Sequence, residues 1–161
     1  MATGFPALNF LTSDPSYNDY RPTMNPAGDT VIFERTPAPD NGSPTTLQLI
    51  DDLGNRNPVP FLSGSPPASQ TRPDWCWANG NSNVLFNGAA GNSSPVSVWQ
   101  VGSDGANPTV ISGTTAAYYP KWNLEGTLFV TENNGLLPSP ATRSHPRRRR
   151  ADRQCRRRRC K

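Results

Sequence analysis

The chain repeats itself, and this constrains its fold more than any other feature. Phe10-Leu11-Thr12-Ser13-Asp14-Pro15 matches Phe61-Leu62-Ser63-Gly64-Ser65-Pro66. Twelve positions after each Phe stands the proline of an Arg-Pro pair, Arg21-Pro22 and Arg72-Pro73, so the offset is 51 residues without a gap. A third copy begins at Tyr119-Pro120-Lys121-Trp122, 47 positions after Pro73. Two residues beyond each proline comes a large apolar side chain: Met24, Trp75 and Trp122.

Each copy continues as strand and turn. The turns are Asn25-Pro26-Ala27-Gly28-Asp29, Ala78-Asn79-Gly80-Asn81 and Asn123-Leu124-Glu125-Gly126. Gly and Asn tolerate the positive φ that tight hairpins need. The runs that follow are Thr30–Phe33, Asn83–Phe86 and Thr127–Val130, all rich in β-branched and aromatic residues. Third strands are predicted at Thr46–Asp51 and Val96–Val101, where apolar and polar residues alternate. Fourth strands are predicted at Pro58–Leu62 and Pro108–Ile111, the latter after the hairpin signal Gly102-Ser103-Asp104-Gly105. Their prolines suit an edge, where a missing amide does no harm. With 13 Gly and 18 Pro the chain turns often, and long helices are not expected.

Four short antiparallel strands in roughly 45–50 residues describe a β-propeller blade. The expected fold is therefore all-β. Blades span about 20–62 and 71–111, with a fourth strand before them (Ala7–Leu11) and an opening hairpin after them (Ala117–Glu132). A β-sandwich is the rival, but it does not require the ungapped self-match. The pattern Arg-Pro-x-Met/Trp, a Gly turn, then Val-Ile-Phe or Val-Leu-Phe resembles the WD40-like repeat of TolB-type propellers. Asn25-Pro26-Ala27-Gly28 matches that family's Ser-Pro-Asp-Gly turn, while Trp77-Ala78-Asn79-Gly80 and Asn123-Leu124-Glu125-Gly126 depart from it. The resemblance covers about residues 7–133. It implies a propeller that binds protein partners, in the TolB case lipoproteins of the bacterial envelope. A propeller of the prolyl-oligopeptidase type is the alternative, and its α/β-hydrolase domain would follow downstream.

Two complete blades are fewer than the about 4–8 of a closed ring. A fragment of a longer protein, closure by several chains, and an open sheet stack are the three expectations. Residues 136–161 point to the first, because the composition changes mid-blade to Pro and Arg. The tail reads either as an out-of-frame product or as a disordered basic arm. Charge divides at the same place. Residues 1–142 carry five basic and eleven acidic groups, 5 − 11 = −6, whereas residues 143–161 carry eleven and one, 11 − 1 = +10. Nucleic acid or another anionic surface is thus a partner for the tail alone. No apolar run reaches the ~20 residues that span a bilayer, so membrane insertion is not expected. Met1–Pro6 lacks the basic-then-apolar start of a secretory signal, which conflicts with the periplasmic or extracellular site that the family implies.

Catalysis is not expected. The single histidine, His145, lies in the tail, away from any rigid scaffold. There is no nucleophile elbow or phosphate-binding Gly-Lys loop. Asp29, Asp51, Asp52 and Asp104 fall at turns, where Asp bonds its own backbone. Cys76, between Trp75 and Trp77 in an expected strand, reads as a core or rim thiol, and Cys155, Cys160 and His145 do not complete a zinc site, so neither cofactor nor metal is expected. Asn41-Gly42-Ser43 and Asn92-Ser93-Ser94 fit the glycosylation pattern, which loops of this composition meet by chance.

What remains is surface. Loops are expected at Pro37–Thr45, Ser63–Thr71 and Gly88–Ser94, and Tyr17, Tyr20, Tyr118 and Tyr119 are expected in connections between blades. Arg21 and Arg72 recur just before the first strands, either pairing with the adjacent blade or facing a central channel. Arg21, Arg72, Tyr20, Tyr118 and Tyr119 are the candidate residues for a protein or peptide partner. Bare blade edges make self-association a further expectation.

Overall fold

A computed structural model describes residues 12–51, 57–78, 82–91, 94–126 and 129–133. The described residues contain strands and no helix. Strands β1 (Tyr17–Met24), β2 (Val31–Pro37), β3 (Thr46–Ile50) and β4 (Val59–Pro60) form one antiparallel sheet in that spatial order. Strands β5 (Ser69–Trp75), β6 (Val84–Ala89), β7 (Ser97–Val101) and β8 (Thr109–Val110) form a second, with the same order. A third sheet is the hairpin of β9 (Ala117–Trp122) and β10 (Phe129–Asn133). The expected strand Ala7–Leu11 and the tail 136–161, with His145, Cys155 and Cys160, lie outside the described residues.

Local chemistry accounts for the hairpins. Asn25 Oδ1 accepts from the amides of Gly28, Asp29 and Thr30 at 3.0–3.2 Å, and Gly28 takes φ 78°. Asn25 Nδ2 donates to Asp29 at 2.7 Å, closing the β1–β2 turn. That bond and a second from the Thr30 hydroxyl hold the Asp29 carboxyl below its ordinary value. In the later turn, Asp104 accepts from the Ala106 amide at 3.1 Å. The short strands β4 and β8 lie at sheet edges, where Pro60 is tolerated and Val59 and Val110 are exposed.

The two complete sheets stack face to face. Ile32, Leu47, Phe61, Trp75, Val84, Phe86 and Val101 form the core between them. Leu85, Val98 and Ala117 form a second core on the other face of the second sheet, with Ile111 and Trp122 against it. Strand β6 therefore buries residues pointing both ways, and every one of its six positions is buried. This explains why Val84-Leu85-Phe86 is a consecutive apolar run rather than an alternation. Each buried large side chain stabilises the stack by about 1.5–3 kcal/mol. Val31, Phe33 and Ile50 form a third buried cluster, on the face of the first sheet turned away from the second.

Several expectations about boundaries are corrected. Tyr17 and Tyr20 lie within β1, and Tyr118 and Tyr119 within β9, not in connections. Arg21 and Arg72 likewise lie inside the first strands rather than before them. The loop expected over 63–71 ends earlier, because β5 starts at Ser69, and Gly88 belongs to β6. Cys76 is fully buried but stands just past the end of β5.

Candidate protein-binding site

The recurring Arg-Pro or Tyr-Pro pair forms a β-bulge in every sheet. Arg21-Pro22 lies between the pairs Tyr20↔Glu34 and Thr23↔Ile32, so two residues oppose Phe33 alone. Arg72-Pro73 sits the same way between Thr71↔Asn87 and Asp74↔Leu85. Tyr119-Pro120 sits between Tyr118↔Glu132 and Lys121↔Val130. The first bulge residue is left-handed each time: φ is 47° at Arg21, 55° at Arg72 and 55° at Tyr119. Glycine normally occupies that place in such a bulge. A bulge absorbs the proline by taking its position out of the ladder, which is why Pro22, Pro73 and Pro120 do not end their strands.

The bulges also tie the sheets together. Glu34 Oε1 in the first sheet accepts the backbone amide of Arg72 in the second at 2.6 Å. Asn87 Oδ1 in the second sheet accepts the amide of Tyr119 in the third at 3.0 Å. Glu34 and Asn87 hold the same register position, and Glu132 follows them at that position in the third sheet. A parallel pair of bonds lies three residues on. Trp75 N donates to Thr23 Oγ1 at 3.2 Å, and Trp122 N donates to Asp74 Oδ2 at 2.8 Å. A third pair runs between main chains, from Gln70 N to Thr45 O and from Ala116 N to Val96 O, at 2.8 and 2.7 Å. A fourth uses Gln70 Oε1 and Thr114 Oγ1, which accept from Leu47 N and Val98 N at 2.9 and 3.0 Å.

This geometry brings three of the five candidates together and joins a fourth to them. The Arg72 guanidinium carbon stands 3.8 Å from the Tyr119 ring centroid and 5.9 Å from that of Tyr118. Arg21 Nη1 donates to Glu34 Oε2 at 2.7 Å, so Arg21 and the Arg72 amide share one buried carboxylate. The Arg21 pair lies within its own sheet. The expected pairing of arginine side chains with an adjacent repeat is thus replaced by capture of an arginine backbone. Tyr20 stands next to Arg21 on β1 and opposite Glu34, about half exposed, as is Tyr119.

Glu34, Asn87, Thr23 and Asp74 were not among the expected functional residues. Their signal was available as polar residues at equivalent strand positions, Phe33-Glu34 beside Phe86-Asn87. A second arginine cluster lies on the first sheet. Arg35 Nε and Nη2 each meet an Asp19 oxygen at 2.8 Å, and its guanidinium lies 4.7 Å from the Tyr17 ring centroid. Burial raises the Asp19 carboxyl, but the bond and charge of Arg35, with a bond from Thr12, outweigh it and leave the group below its ordinary value. Among the described residues no group of three His, Cys, Asp or Glu side chains is placed to hold a metal ion. In comparisons with known proteins, no family model and no curated protein matches this chain.

Proposed function

We propose that the chain is a non-catalytic β-propeller segment, similar to TolB-type WD40-like repeats, that presents the row of bulges to a protein or peptide partner. The observation that carries this reading is the repetition of one inter-sheet tie. The same left-handed bulge, with its amide taken by the preceding sheet, occurs at Arg72 and at Tyr119. In a propeller, successive four-stranded blades pack face to face around an axis, so equivalent residues line up on one surface. Strained backbone held by surrounding contacts is also typical of binding positions. Here it displays two arginines and a tyrosine, with Tyr20 and Tyr118 beside them. Arg and Tyr are favoured interface anchors.

The test is peptide selection on the full 161-residue chain, with binding mapped by amide chemical shifts. Selected peptides are expected to perturb Arg21, Arg72, Tyr118 and Tyr119 and to lose affinity on Tyr119→Ala. Peptides that bind only elsewhere, or leave these residues unmoved, contradict the proposal.

A further inference from the structure

We infer that Arg72, with the rings of Tyr118 and Tyr119, is a binding site for a peptide carboxylate. This rests on the scaffold reading above and supplies the chemistry of its partner. Two equivalent positions differ in one respect. In the first sheet, the Arg21 guanidinium is neutralised by the Glu34 carboxylate at 2.7 Å. In the second, the residue at the Glu34 position is Asn87, which has no charge. Both ends of its amide are already engaged: Oδ1 accepts from Tyr119 N, and Nδ2 donates to the Ala117 carbonyl at 2.9 Å.

Among the described residues, Arg72 therefore lacks the carboxylate partner that Arg21 has. Among the described residues no carboxylate forms an ion pair with it, and its Nε is buried without a hydrogen-bond acceptor. Its charge has no counter-charge among the described residues, and an incoming carboxylate supplies one at the terminal nitrogens of the guanidinium. The site is also ordered in advance. The Arg72 backbone is held by Glu34, and its guanidinium carbon stands over the Tyr119 ring, 3.8 Å from the centroid. A fixed planar fork accepts a carboxylate through two parallel N–H···O bonds, at little further loss of side-chain freedom. The half-exposed Tyr119 ring and the partly buried Tyr118 give the ligand an apolar surface beside the charge. A singly charged carboxylate suits the site better than a phosphate dianion, because residues 1–142 carry a net −6 that opposes added negative charge. The carboxylate can come from a peptide C-terminus or from an Asp or Glu side chain.

The experiment titrates the ¹⁵N-labelled full chain with three forms of one Phe-containing peptide. One has a free C-terminus and no acidic side chain, one is amidated with a single Glu, and one is amidated with Gln in that place. The first or the second is expected to shift the Arg72 Nε–Hε signal, and which one does so identifies the source. The Gln peptide is expected to bind about tenfold more weakly or not at all. Asn87→Glu, which copies the Arg21–Glu34 arrangement into the second sheet, is expected to abolish the preference for the acidic forms. Arg72→Lys keeps the charge without the fork and is expected to weaken binding, with the amide spectrum of each variant reporting its fold. Equal binding of all three peptides at the bulge row overturns the carboxylate site and leaves the scaffold reading standing. No shift anywhere in the row, with any form, overturns both.

Discussion

At the scale of the residue, three of the five left-handed non-glycine positions, Arg21, Arg72 and Tyr119, share one cause, and each costs about 1–2 kcal/mol relative to ordinary backbone. Proline fixes the next φ, and at two of the three a side chain from the neighbouring sheet takes the bulge amide. Glu34 serves two bonds, so Glu34→Ala is expected to destabilise the fold by about 1.5–3 kcal/mol, measured by denaturant unfolding. Arg21→Ala removes only a half-exposed partner and is expected to cost about 1 kcal/mol or less. Equal losses for the two variants would deny Glu34 its role toward Arg72. Asp19 makes a prediction about pH. Its folded pKa lies below the ordinary 3.8, so its stabilising effect is complete above that value and fades as pH falls from 3.8 through the lower folded value. Asp19→Asn is expected to flatten the acid limb of a stability–pH curve, and an unchanged limb would exclude this contribution. The recurring position of Arg21, Arg72 and Tyr119 was legible in the sequence, but its conformation was not. A bulge without glycine leaves no sign of its own, so the sequence reads as starting the first strands after the Arg-Pro pairs, which displaces four tyrosines into connections.

At the scale of the element, the second-strand runs and the turns were legible because side-chain periodicity and Asn/Gly chemistry are local. Registration of the third hairpin was not. The sequence pattern sets Leu128 in the place of Val84, whereas pairing puts Phe129 opposite Trp122 as Val84 is opposite Trp75. A shift of one residue exchanges the two faces of a strand, and only the pairing itself fixes it. That shift brings Glu132 to the position of Glu34 and Asn87. The β7–β8 turn shows how an element can join two sheets. Gly105 has φ 69°, accepts from Ser63 N through its carbonyl at 2.9 Å, and approaches the first sheet so closely that a Cβ there would sit 1.9 Å from the Phe61 carbonyl oxygen. Gly105→Ala is expected to lower the unfolding midpoint substantially, whereas Gly113→Ala, with open space around it, is expected to cost only the strain of its positive φ. Equal midpoints would argue that this turn does not press on the first sheet.

At the scale of the whole molecule, the described residues form repeated sheets held by repeated ties. β6 is the clearest case, because Val84 and Phe86 belong to one core and Leu85 to the other. Stability in such arrays is divided between units and the interfaces of nearest neighbours. The Arg72 and Tyr119 amides report those interfaces directly, since their acceptors belong to the preceding sheet rather than to their own ladder. Amide hydrogen exchange on the full chain therefore tests the central claim. Both amides are expected to be protected to the level of the β6 core, and Glu34→Ala is expected to release Arg72 while Tyr119 stays protected. Exchange of both amides at the rate of freely exposed, unbonded amides would contradict the account.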